Sequence, residues 1–530
     1  MEDAAADILL SEKMHHAILL TGHYNFMGIY HPGPFFFYVR GLFEFLAPAV
    51  GSIFLAHIIG MMVIEAGFFS LTAAILLRLT QAEGIGRAAA LAGIWAIPLQ
   101  LSGSESYATL FVPSLLPLPL TALIAATVLT MRGSAAGLVA TTLLTCILVH
   151  AYLPVVPVAV GLWGFALVCG RRARRHVHPA GFPMATYGIC AGIIGLFILP
   201  MALDAILFPP GNIIAILKAA FAHSNGNRPS MAYAAALALG KGWLPRDIMI
   251  PVLLTGVWLA VRRHRLRRLW RETVLVGGLT TILGIAALSR SPVEPSAYMA
   301  QFMTAPLLMV LTLSITTLVA ELSDIPGWPA QHRLGWISAG ALFILTMALS
   351  DVSTNARWFS ANVDPLPAAI AARSRPGDLI AIANAHSHEH SIAQTLLVRL
   401  ERFGVQSCLD DEAVPEADRK GAIVAVTRER ACSNAARKPN QFYRVEAVAP
   451  CPPKAGPSYR AQDLGYRAVM TVSGWLGHPP ASLSELVTCR DRPPPDAIIQ
   501  HCVADRQCFT LVEVTRPAAD RGDAGADTPP

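Results

Sequence analysis

From about residue 52 to about residue 351 the chain alternates long apolar runs with short polar connectors. The runs fall at about 52–77, 88–101, 111–131, 135–150, 152–170, 183–208, 247–262, 273–289, 299–320 and 335–351. A helix rises about 1.5 Å per residue, so about 20 apolar residues cross the hydrocarbon core of a bilayer. The pattern therefore predicts a polytopic α-helical membrane protein of about ten transmembrane helices. The runs at 88–101 and 247–262 are short and borrow flanking residues. The division near Ala151 rests on Pro154 and Pro157, which cannot continue a hydrogen-bonded helix.

Outside these runs the pattern changes. Residues 1–51 are mixed, with an aromatic stretch at 34–50 that holds Phe35, Phe36, Phe37, Tyr38, Phe43 and Phe45. Arg40, Glu44 and Pro48 interrupt it and it is only about 17 residues long, so it is expected to lie along the membrane surface. After residue 351, Pro, Arg, Asp and Glu become common. The segment after Gly377-Asp378 reads as a buried strand, and 389–402 as a helix stopped by Gly404. Residues 405–409 and 422–426 read as further strands. This β-α-β-β order predicts a C-terminal external α/β domain over 352–515, followed by a disordered tail at 516–530.

Composition sharpens the picture. Hydrophobic residues make up 54% of the chain and charged residues 14%, against about 25% charged in a soluble globular protein. An ordinary soluble enzyme, a disordered chain and a nucleic-acid binder are excluded. The net charge of +6 is small for 530 residues, but its placement is informative. Arg78 and Arg87, then Arg132, then Arg171 to Arg175, then Arg262 to Arg271 occupy alternate connectors. All of these are therefore expected on one side, the cytoplasmic one. Residues 1–51 and 352–530 then lie outside, which predicts an inner (plasma) membrane protein with an extracytoplasmic C-terminal domain. Six of the nine cysteines, Cys408, Cys432, Cys451, Cys489, Cys502 and Cys508, fall in that domain. An even number in an oxidising compartment permits disulfides, in a connectivity the spacing leaves open; six free thiols are the alternative.

The first 51 residues show neither the basic start nor the apolar core of a targeting segment. Since the charge rule sets them outside, a first membrane helix is expected to precede them. The stretch EDAAADILLSEKMHHAILLTGHYNFMGIYHPGPFFFYVRGLFEFLAP, followed by a long span ending in Arg78, resembles the first external loop of GT-C superfamily glycosyltransferases. These are polytopic enzymes with polyprenyl-phosphate-sugar donors, here of a mannosyl- and arabinosyl-transferase-like kind. The shared features are an acidic residue near the loop's start, the element His31-Pro32-Gly33-Pro34 and an aromatic helix after it. The segment HEHSIAQTLLVRLERFGVQSCLDDE resembles a helix-glycine-strand unit of the same group's external domain.

That resemblance implies an inverting transfer of a sugar to an external cell-envelope acceptor, a glycan, lipid or protein. A first-loop Asp would be the general base that deprotonates the acceptor hydroxyl. Asp3 matches the family position, and Asp7 lies one helical turn later; the plainer alternative is that both are solvated loop acids. His31 belongs to the shared element. Glu105, in an outer loop, would steer a hydroxyl, hold a divalent cation or be merely solvated. His150, at the outer end of a run beside Tyr152, would contact phosphate or sugar, or anchor the interface. Glu65 sits in the middle of a run, where a carboxylate is costly and usually faces the bundle interior; His57 lies two turns away on a similar face. The two would line a donor groove or form a structural contact. Arg228, Lys241, Arg246 and Arg290 are the outer cations near membrane ends, open to phosphate binding or to interfacial snorkelling.

His386, His388 and His390 would share one face of an extended segment, a zinc-like arrangement, but they lie at a turn where geometry is irregular. No cofactor is called for, and a divalent cation is the one the residues admit. The chain carries no phosphate-binding glycine loop and no nucleophile elbow. A transporter or flippase of lipid-linked intermediates would share the spans but calls for paired half-repeats, which are not visible. A non-catalytic membrane assembly protein with an external binding domain is the third reading.

Overall fold

The computed structural model describes residues 7–8, 10–11, 14, 19–25, 29–50, 53–80, 110–175, 181–222, 229–241, 264–291, 297–323, 365–384, 396–398, 400–401, 403–410, 432, 435, 439, 441–448, 497–503 and 507–513. It separates into a helical unit, Leu10–Ala356, and a second unit, Arg357–Pro530, which also takes in Ala4–Leu9.

The helical unit opens with a two-stranded ribbon, β1 (Tyr24–Asn25) and β2 (Ile29–Tyr30), and a short helix α1 (Phe35–Gly41). The long helices follow: α2 (Ile53–Thr80), α3 (Pro117–Met131), α4 (Ala135–Ala151), α5 (Val156–Arg175), α6 (Met184–Leu207), α7 (Asn212–Ala222), α8 (Met231–Lys241), α9 (His264–Ser289) and α10 (Ala305–Ser323). Among the described residues, five helical stretches are long and apolar enough to cross a membrane: Ile53–Leu76, Val112–Met131, Leu153–Arg175, Met184–Leu207 and Arg267–Ser289. Ala135–Ala151 and Met299–Ser314 are shorter apolar helices. The chain thus has the build of a helical, multi-pass membrane protein. Seven of the expected runs coincide with these helices; those at 88–101, 247–262 and 335–351 lie outside the described residues.

Helix α3 is the centre of the unit. Every side chain from Pro117 to Thr130 is buried, with α2, α4, α5, α9 and α10 packed against it. Five hydroxyls in this interior are satisfied within their own helix, whereas Thr127 and Thr273 have no hydrogen-bond partner among the described residues. Thr121, Thr130, Thr141, Thr280 and Thr312 each donate to the carbonyl four residues back, so none of these five needs water. Helix α6 behaves oppositely: Ile189, Leu196, Ile206 and Leu207 are more than half exposed, as a face turned to lipid requires. The break near Ala151 is real. Tyr152 is extended, and Leu153–Val155 form a 3-10 turn before α5.

The segment 34–50 is a seven-residue helix, a 3-10 turn at Glu44–Leu46 and a single turn at Ala47–Val50. At about 1.5 Å per residue none of these crosses a bilayer. Phe36 and Phe37 are buried, whereas Leu42 and Phe45 are 70% and 73% exposed.

The stretch 209–246, expected as a long outer connector, holds the helices α7 and α8, and one boundary also differs from the sequence reading. Residues 265–271 belong to the first turns of α9 rather than to a connector. Arg and Leu are good helix formers, and guanidinium groups at a span's end reach water on long stems.

Among the described residues of the second unit a short helix, α11 (Pro365–Ala371), precedes five strands: β3 (Leu379–Asn384), β4 (Gln406–Leu409), β5 (Gln441–Val448), β6 (Ala497–Val503) and β7 (Gln507–Glu513). They form one sheet in the order β4-β3-β5-β7-β6. β3 pairs in parallel with β4 and β5, aligning Leu379 with Gln406 and Ile380 with Gln441. β7 runs antiparallel to β5 and β6, with Cys502 opposite Cys508. Leu379 to Ile382 are all buried, the unbroken apolar run of a strand covered on both faces. Helical residues at 396–398 and 400–401 lie between β3 and β4. Gly404, at φ +68°, ends that helix: Val405 N–H donates to Leu400 O at 3.1 Å and Gly404 N–H to Glu401 O at 2.9 Å. A disulfide joins Cys408 to Cys432 across 24 residues. The expected strand at 422–426 and the tail at 516–530 lie outside the described residues.

Candidate functional site

The His31–Pro34 element is built into one end of the helical unit by main-chain hydrogen bonds. The β1–β2 ribbon is extended at its base, where Gly22 N–H donates to His31 O and His31 N–H to His23 O. Asn212, the first residue of α7, grips the same strand. Its side-chain oxygen accepts from Tyr30 N–H and its amide donates to Tyr30 O, both at 2.9 Å. Asp204, in the last turn of α6, accepts from Asn212 N–H at 2.6 Å and so holds the clamp. On the other side Leu153 N–H donates to His31 Nδ1 at 3.2 Å, and the His31 and Tyr152 rings lie 4.9 Å apart.

That hydrogen bond decides the charge of His31. Nδ1 accepts, so the ring carries its proton on Nε2 and is neutral. Burial first, and the neighbouring His23 second, together push the pKa of His31 down to about 3.

His150, in the last turn of α4, closes the other flank. Its Nε2–H donates to Phe197 O at 2.7 Å, with the two rings 4.7 Å apart. His150 O in turn accepts from Gly33 N–H at 3.2 Å. A Cβ on Gly33 would overlap the His150 ring, so the glycine of the element is required by close approach. Tyr38 ties α1 to the same ledge by donating to Leu19 O at 3.0 Å, and its partial burial raises its pKa. Arg40 is fully buried, with its guanidinium carbon 4.3 Å from the Phe37 ring centroid.

The opposite end of the unit carries the charge. Arg132 donates to Glu272 at 2.7 Å and to Leu79 O at 3.1 Å. Arg174 donates to Gly133 O at 2.9 Å, and Arg268 to Glu272 at 2.8 Å. The ends of α2, α3 and α5 and the start of α9 therefore meet there, as the alternation of basic connectors predicts. The 17 residues of α4 separate Gly133 from the His150 ledge, about 25 Å of helix.

His31 and His150 are thus brought together on one ledge. His57 and Glu65 are not paired. Both are buried on α2, but His57 Nε2 lies 2.8 Å from Glu44 Oε1, and Glu65 has no hydrogen-bond partner among the described residues. Asp7 is buried and belongs to the second unit, so it is not a solvated loop acid. Arg290 is exposed just past the end of α9. Asp3, Glu105, Arg228, Arg246 and the three histidines at 386, 388 and 390 lie outside the described residues, and Lys241 closes α8. Among the described residues no group of three or more His, Cys, Asp or Glu side chains is arranged to hold a metal ion.

Sequence reasoning missed Asn212, Asp204 and Glu44. The turn Pro209-Pro210-Gly211 just before Asn212 was the available signal for the clamp, because it delivers a polar residue to a helix start. Nothing local marks Glu44 as the partner of a histidine 13 residues on. No protein-family model, no curated protein and no solved structure matches the chain.

Proposed function

We propose that the chain is a membrane glycosyltransferase that moves a sugar from a polyprenyl-phosphate donor to an extracytoplasmic acceptor with inversion. What supports this reading best is the His31–Pro34 element, built rigidly into the end of the bundle away from the arginine cluster. In the GT-C enzymes that this loop resembles, the same element follows the catalytic acid. A donor whose phosphate rests at the interface needs a neutral, dry ledge for its isoprenoid and a cation for its leaving group. His31 and the aromatic rings fit the first need, and Arg290, at the same end of the bundle, fits the second. Asp3 is the base: it takes the acceptor's hydroxyl proton as the acceptor oxygen attacks the anomeric carbon, and the polyprenyl phosphate leaves with the bonding pair. On this reading residues 352–515 are extracytoplasmic.

The test uses the full chain in phospholipid vesicles with radiolabelled polyprenyl-phosphate mannose and arabinose. Asp3→Asn is expected to lower transfer about 10²–10⁴-fold with expression unchanged. Full activity in Asp3→Asn beside a dead Asp7→Asn moves the base by one turn. Movement of labelled lipid across the bilayer with no sugar transferred overturns the enzyme reading in favour of a transporter.

A further inference from the structure

Among the described residues, the arginine end of the helical unit holds more positive charge than its internal contacts use. α5 ends on exposed Arg171, Arg172 and Arg175, and the early turns of α9 carry exposed Arg271. Glu272 is the one carboxylate in either helix, and it already accepts from both Arg132 and Arg268. The two helices pack against each other, and their levels match. A Cβ on Gly161 would come 2.7 Å from Leu283 Cδ1, and ten residues on toward the arginine end lie Arg171 on one helix and Thr273 on the other. Like charges are thus gathered at one level on neighbouring helices. On α9 they also sit at the positive end of the helix dipole, with no acid in its first turn. An arrangement that repels itself is stabilised by an anion from outside.

The residues below the arginines say which anion. Val168 of α5 is 51% exposed, and Leu275 and Val274 of α9 are 55% and 54% exposed. Leu275 stands four residues after Arg271, on the same helical face, and Val168 stands one turn before Arg171 and Arg172. Each helix therefore shows a guanidinium with bare apolar surface directly beneath it, on a stretch long enough to cross a membrane. A soluble phosphate fits the upper half alone; a phospholipid fits both.

We propose that the adjoining arginine ends of α5 and α9 form a docking site for an anionic phospholipid, its headgroup phosphate on the guanidinium groups and its acyl chains along Val168 and Leu275. The Arg fork suits phosphate oxygens, and basic residues at this level attract anionic lipid headgroups.

The full chain in nanodiscs of phosphatidylcholine, with and without phosphatidylglycerol, tests this. Phosphatidylglycerol is expected to raise the thermal unfolding midpoint and to remain bound in native mass spectra. Each arginine removed should weaken retention about fivefold, so R171Q/R172Q/R271Q should lose it by on the order of a hundredfold. These side chains are exposed and repel one another, so in phosphatidylcholine alone the variant should unfold at or slightly above the wild-type midpoint. Should it fail to fold, a sodium chloride titration of the wild type replaces it, with retention expected to fall steeply as salt rises. Retention by the triple variant equal to wild type, or insensitive to salt, overturns the proposal. So does an equal midpoint shift from inorganic phosphate, which would mark a site for a free anion.

Discussion

The two ends of the helical unit are held by different physics. At one end, charges meet: Arg132 and Arg268 converge on Glu272, and Arg174 reaches Gly133 O. At the other, main-chain atoms, amides and rings make most of the contacts, with Asn212 on Tyr30, Leu153 on His31 and His150 on Phe197, while Asp204 and the buried Arg40 are its charged members. The charged end works through long side chains that tolerate displacement and lose strength in salt. The second end works through main-chain atoms and rings in contact, where a displacement of one methyl group is felt. Rigidity is thus concentrated where a substrate would need a fixed surface.

Three changes break or sharpen that contrast. The largest effect is expected at Gly33. Gly33→Val would force the His31–Pro34 element off the His150 ring, a steric cost of about 3 kcal/mol, read as a loss of unfolding free energy in mixed micelles. A wild-type value would mean that the ledge is soft.

Next is acid. His31 is neutral in the fold with a pKa of about 3, whereas the unfolded chain's histidine takes up a proton near pH 6.5. Its contribution is fully present above pH 6.5 and is lost as pH falls from there toward 3. Between pH 7.5 and 5 the wild type should lose about 2 kcal/mol through this group. His31→Asn, whose side-chain oxygen replaces Nδ1 as acceptor for Leu153 N–H, should show a flatter pH dependence; an unchanged slope would assign the acid sensitivity elsewhere.

The smallest effects belong to the charged end. Glu272→Gln should cost about 1 kcal/mol and Arg268→Gln about 0.3 kcal/mol, because the Arg268 side chain is 68% exposed. Both costs should shrink in high salt, and a cost for Arg268→Gln as large as that at Gly33 would erase the distinction.

Much of this molecule could be read without coordinates, and the reasons are local. Apolar runs of membrane length, the prolines that split α4 from α5, the glycine that ends the helix before β4 and the alternation of arginines each act within a few residues of where they are written. The gathering of the arginines at one end was legible too, because a helix that crosses a membrane can only deliver its connectors to alternate sides. The glycine of the His31–Pro34 element was legible as a motif, while its reason, the His150 ring 117 positions later in the chain, was not.

Contacts between distant segments needed the fold. His57 and Glu65 share a helix, so periodicity pairs them, yet His57 is met first by Glu44 from the turn packed across it. Asp7 reads as an acid of the first loop, but it is buried in the second unit. Six cysteines in one domain allow many pairings, and the return of the chain past β4 selected Cys408 with Cys432. The sequence by itself determined where the apolar helices and the strands β3 and β4 run and which end carries the arginines, because hydropathy, propensity and charge act over one or two turns; it did not mark α7, α8 or β5 to β7. Only the tertiary structure decided which polar group meets which, because a buried donor or acceptor takes the partner that packing brings within about 3 Å, whatever the distance along the chain.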